Sequence, residues 1–294
     1  MAYSHILFGA SAKTALPVAR RIAPADLFDS LRRGVDDFLA MPSHAVFLCI
    51  VYPVLGLFMI AMMLGGETLP LAFPVAAGFA LVGPLAAIGL YELSRRREAG
   101  LDTAASRAFD VRHSPSLSAI IALGFLLMAI FLVWIAVADE IYIANFGYHG
   151  PVSMRHFAAE VFTTRAGWNL IVVGTATGFV FAALVLTISA ISFPLLLDRD
   201  VGAGAAMATS IRVVVRNPVT MALWGLIVAA LLVIGSIPFF LGLTVVMPVL
   251  GHATWHLYRH AVEPDPNPRP DYRPKERPYR SAADFPASLF PTRH

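Results

Sequence analysis

"RNPVTMALWGLIVAALLVIGSIPFFLGLTVVMPVLGHATWHLYRH", residues 216–260, sets two long apolar runs one after the other. After Pro218 an apolar run covers 219–236, and a second run covers 239–258 before charge returns at Arg259. Each is close to the ~20 residues that carry a helix across the hydrocarbon core. A chain in lipid must pair its own backbone polar groups, and a helix does so within one segment. Four further runs share this character: 44–64, 69–91, 117–138 and 169–194. The sequence therefore predicts an all-α membrane protein with six transmembrane helices.

Composition agrees. Hydrophobic residues make up 57% of the chain and charged residues 14%, with a mean hydropathy of +0.70, outside the usual balance of a soluble domain. Of the 22 lysines and arginines, only Arg155 and Arg165 fall on one side of the predicted spans. The rest lie on the other, which the positive-inside rule makes cytoplasmic, so both termini are expected inside. Such a face meets anionic lipid headgroups, and the net charge of +3 needs no nucleic-acid partner. Cys49 lies within the first run with no second cysteine for an intramolecular disulfide. The first 22 residues lack the apolar core and cleavage site of a secretory signal and are expected to stay. The expected location is a bacterial inner membrane, crossed several times.

A threefold repeat organises the chain. Each unit has an arginine-bearing amphipathic segment, then a proline, then two spans: "DLFDSLRRGVDDFLAMP" ends at Pro42, "LDTAASRAFDVRHSP" at Pro115 and "AAMATSIRVVVRNP" at Pro218. In the first, Leu27, Leu31, Val35, Phe38 and Leu39 are expected on one helical face, lying in the acyl boundary of the cytoplasmic interface. The predicted organisation is an N-terminal tail over 1–25, a membrane domain over 26–262 with repeats at about 26–98, 101–197 and 201–262, and a mobile Pro/Arg-rich tail over 263–294. "GTATG" at 174–178 has the small-residue spacing of closely packed membrane helices. His156 and Glu160 are read as part of an external interfacial helix.

The second span of each unit carries a proline, Pro84, Pro194 or Pro248, where a bend is expected. Aligned on these, Glu92, Asp198, His252 and His256 approach one depth near the cytoplasm. These four are the candidate ligand-binding or polar-cluster residues, with His252 expected to donate a hydrogen bond to Asp198 or Glu92. Glu92 has a local alternative, pairing with Arg95 or Arg96 one turn on. His252, His256 and His260 form a ladder at four-residue spacing, and an i, i+4 pair of imidazoles can begin a metal site. A third ligand is not evident, so His252 and His256 are metal candidates only in a secondary reading, and no cofactor is expected.

"GLYELSRRREAG", "SFPLLLDRDVGAGAAMATS" and the opening stretch resemble the bacterial integral-membrane family known as domain of unknown function 2189, over about residues 25–262. The resemblance implies a multi-span inner-membrane protein without an established activity. No P-loop, zincin or nucleophile-elbow pattern is visible. The expected function is non-enzymatic: a scaffold, accessory subunit or envelope-homeostasis factor, with a membrane-protein partner or second copy. The alternatives are a transporter or channel-like protein with a polar site at the cytoplasmic ends of spans two, four and six, and metal or haem handling through the span-six histidines.

Overall fold

A computed structural model describes residues 16–41, 87–148, 154–238 and 240–265, with short pieces between 54 and 85. Its principal elements are α1 (Pro24–Ala40), α2 (Ile88–Glu98), a 3-10 stretch (Ala105–His113), α3 (Leu117–Phe146), α4 (Met154–Thr163), α5 (Arg165–Ser189), α6 (Ser192–Asp198), α7 (Ala203–Arg216), α8 (Pro218–Ser236) and α9 (Leu243–Ala261). Every regular element among the described residues is helical. Most of the predicted first span, residues 72–73, 77–82 and 86 of the second, Pro42, Cys49 and the tail beyond 265 lie outside the described residues.

Among the described residues, three helices are long and apolar enough to cross a membrane: α3, α5 continued by α6, and α8. They coincide with the predicted runs 117–138, 169–194 and 219–236. Their outward faces carry exposed Phe125, Val172, Phe179, Leu226 and Val233, too much apolar surface for water and ordinary for lipid. Their inward faces pack: Trp134 lies 5.5 Å from Phe181, ring to ring, joining α3 to α5. A Cβ on Gly178 would sit 3.1 Å from the Trp134 ring, whereas Gly174 has open space around it. Only one of the two small residues in "GTATG" thus serves close approach. Thr164 caps α5 by accepting from the Gly167 amide, and α4 carries the His156–Glu160 pair at 3.4 Å.

Proline breaks the long α5–α6 segment. Residues 190 and 191 leave the helix, four and three positions before Pro194, because the ring clashes with the carbonyl of residue 190 and supplies no N–H. The resulting α6 is enclosed, with Phe193, Leu195, Leu196 and Leu197 fully buried.

The dense core sits at this end of the bundle, where α1 packs along α9. A Cβ on Gly34 would lie 2.7 Å from the Ala253 nitrogen and the Val249 carbonyl oxygen, so this crossing requires glycine. The apolar face assigned to α1 is accordingly split. Leu27 is buried with Ser30, Gly34 and Asp37, while Phe28, Val35 and Leu39 are exposed. Small and polar residues let α1 come close to α9, and the bulkier apolar ones are left outside.

Helix α9 also departs from expectation. It begins at Leu243 and runs through Pro248 to Ala261, and it is not among the helices apolar enough to cross. Its polar residues are turned inward, with His252 fully buried. Residues 18–23 stitch this end together. Ala19 bridges Val262, the Ile22 amide donates to Asn217 Oδ1 at 2.9 Å, and Thr220 donates to the Ile22 carbonyl at 3.1 Å.

Candidate functional site

The site is a buried polar core made by α1, α2, α6 and α9. Helical phasing brings the histidines of α9 to the acidic residues of α1, which runs antiparallel to it. His260 Nε2 lies 3.0 Å from Asp29 Oδ2, and His256 Nε2 lies 3.0 Å from Asp37 Oδ2. The third rung reaches a different helix: His252 Nδ1 is 2.7 Å from Ser94 Oγ on α2.

Ser94 fixes the proton order. Its hydroxyl donates to Asp37 Oδ2 at 2.6 Å, so its oxygen must accept from His252, which places a proton on Nδ1. The chain is then His252 Nδ1–H to Ser94 O–H to Asp37, with His256 donating to the same carboxylate. Arg97 donates to the other oxygen, Asp37 Oδ1. Burial pushes the Asp37 carboxyl up, but the hydrogen bonds from His256 and Ser94 and the nearby imidazoles outweigh it. The carboxyl is held below its ordinary value of 3.8, so the network favours carboxylate.

Two neighbouring groups complete the core. Glu92 is fully buried and accepts both Arg95 Nε at 2.7 Å and Arg95 Nη2 at 2.9 Å, with Arg96 3.6 Å away. Arg96 also approaches Asp110 at 3.6 Å. Around Asp198, the Tyr258 hydroxyl donates to the carboxylate, and Arg259 spans from Asp198 at 3.5 Å to Glu98 at 2.9 Å. Trp255 Nε1–H donates to Glu98 at 2.8 Å.

Glu92, Asp198, His252 and His256 therefore share one end of the bundle, where the two histidines join one network at Asp37 while Glu92 and Asp198 hold partners of their own. The bond expected from His252 to Asp198 or Glu92 goes to Ser94 instead, because α1 inserts Asp37 beside the histidines. Glu92 follows its local alternative with Arg95. Asp37, Ser94 and Arg97 join the site beside the residues expected from sequence. The signal was present in α1, where Ser30, Gly34 and Asp37 recur at four and three residues, a packing face of small and polar residues. The imidazoles of His252 and His256 both face Asp37 Oδ2, His256 directly at 3.0 Å and His252 through the Ser94 hydroxyl. No group of three potential metal ligands with suitable geometry occurs among the described residues.

The exposed apolar faces of α3, α5 and α8, joined to this enclosed polar end, define an all-helical integral membrane protein. Residues 72–198 match the family model described as "Predicted integral membrane protein (DUF2189)". The matched stretch spans α2 to α6 and holds Glu92, Ser94, Arg97 and Asp198. It is narrower than the resemblance over 25–262, and 216–260 lies outside it, as do Asp37 and the histidine ladder. Comparison with curated proteins finds no match, and neither does comparison with solved structures.

Proposed function

We propose that this is a non-enzymatic membrane protein of a bacterial inner membrane, acting as a scaffold or accessory subunit. The observation that carries this reading is the commitment of the carboxylates in the polar core. Asp37, Glu92 and Asp198 are each engaged by the chain's own arginine, histidine, serine or tyrosine side chains. Such a network holds amphipathic helices to a bundle; it does not present open charge to a substrate. The full topology in this proposal is six spans in three repeats, with both termini cytoplasmic. The arginine and lysine asymmetry supports it. So does the placement of an exposed apolar residue near an exposed arginine in each amphipathic segment: Phe28 with Arg32, Phe109 with Arg112, Val215 with Arg216. The partners in this reading are lipids with anionic headgroups and either another membrane protein or a second copy.

Two measurements test it. Reconstituted in vesicles, the full chain should pass neither protons nor small solutes above an empty-vesicle background. A flux abolished by Asp37→Asn would establish the transporter alternative instead. Reporter fusions after residues 66, 150 and 237 should read external, and those after 105, 205 and 275 cytoplasmic; a cytoplasmic signal at 150 would sink the topology.

A further inference from the structure

The arginines at the polar end divide into two populations. Arg95, Arg97, Arg199 and Arg259 are all in ion pairs with carboxylates. Arg212 and Arg216, one turn apart on α7, are exposed, and among the described residues neither has a carboxylate partner. Both line a groove of about 470 Å³ between the segment at residues 16–19 and α7, whose other walls include Pro17, Val18, Ile211 and Val215. The groove thus has two guanidinium groups beside an apolar floor. Exposed Ile211, Val215 and Val219 follow at four-residue steps toward the membrane-crossing helix α8, so the apolar side leads to where lipid begins.

We propose that this groove seats one anionic phospholipid, with its phosphate against Arg212 and Arg216 and its upper acyl chain along Val18, Ile211 and Val215. The charge complementarity is direct. Guanidinium groups bind phosphate oxygens through paired N–H donors, and the unmatched positive charge stands at the surface where anionic headgroups accumulate. A soluble acidic peptide would match the arginines but leave the apolar floor uncovered; a phospholipid covers both. The inference rests on the reading of the basic face as one that meets headgroups, and makes that reading specific to one site.

The test uses the full chain in neutral detergent, titrated with phosphatidylglycerol or phosphatidylcholine of the same acyl chains and followed by native mass spectrometry. Wild type should bind phosphatidylglycerol more tightly. Arg212→Gln/Arg216→Gln should weaken that binding by about 30-fold, from the contribution of two arginines near an anionic surface, and lower phosphatidylcholine binding by a smaller factor, because its choline offsets the phosphate charge. Val215→Asp, a second route that keeps both arginines, should lower phosphatidylglycerol binding through repulsion in the groove. Arg32→Gln, on α1, should leave it unaltered. Circular dichroism checks that the variants keep wild-type helix content. Retention of phosphatidylglycerol affinity by both groove variants overturns the site while leaving the broader headgroup reading intact. A wild type that does not distinguish the two lipids overturns both. Equal competition by soluble glycerol phosphate would overturn the lipid in favour of a free anion.

Discussion

The two ends of the bundle are built on different physics. Around Trp134 and Phe181, α3 meets α5 through shape, with Gly178 receiving the indole and apolar side chains covering the outer surface. Around Asp37, α1, α2 and α9 meet through hydrogen bonds and ion pairs that are almost wholly enclosed. Lipid offers little hydrophobic drive for helices to associate, so packing must carry the first end. At the second end each buried polar group needs its partner, and loss of one leaves the others unmatched. One end should therefore tolerate many apolar substitutions, while the other should fail when a single carboxylate is removed.

The largest effect should come from Asp37→Ala, which strands Arg97 and His256 together. A loss of about 3 kcal/mol is expected, measured by thermal or denaturant melting in detergent. An unchanged melt would mean that the polar end does not hold the fold. Next comes Gly34→Ala, where the new methyl meets the α9 backbone at 2.7 Å and should cost about 2 kcal/mol. Gly174→Ala, with open space around it, should instead stabilise by roughly 0.5 kcal/mol through helix propensity. If both glycines respond alike, the contrast between the two ends collapses.

The smallest effect is confined to acid. Asp37 has a folded pKa below its ordinary value of 3.8, so its contribution is complete above that value and disappears as pH falls through the lower folded one. The stability gap between wild type and Asp37→Ala should accordingly be constant near neutrality and narrow below about pH 4. Asp29 is also held low: desolvation raises its pKa, and the hydrogen bonds from His260 and Arg33 together with their charges outweigh this. The gap between two proteins isolates the Asp37 part, whereas the slope of either alone does not. A gap that widens on acidification would remove Asp37 from its place as an ionised hub.

What the sequence reveals follows from how local each interaction is. The helices α3, α5 and α8 are legible because a uniformly apolar run needs no neighbour to declare itself. The Glu92–Arg95 pair is legible too, being three residues apart on one helix, and the break before Pro194 follows from the ring itself. The bond between Ser94 and His252 spans 158 residues and has no periodic signal at either end. The inward face of α1 was hidden for another reason. Its larger apolar residues suggested a single lipid-facing side, whereas Gly34 allowed the polar side to seek the protein interior. Helix α9 stands apart from α3, α5 and α8 because it carries three histidines, of which His252 is fully enclosed by protein.

The pairing of α1 with α9 also sets an order for biosynthesis. Asp37 and His256 are 219 residues apart, so at about 5–20 residues per second the ribosome adds the second partner roughly 10–45 s after the first. Throughout that interval the carboxylate lacks its imidazole, and the small-residue face of α1 waits uncovered. The carboxylate's environment can close only after α9 has been made, although α1 was the first of the described helices to leave the ribosome. A chain released before His256 would carry the apolar helices α3, α5 and α8 complete and the polar end unfinished, a distinct target for membrane quality control.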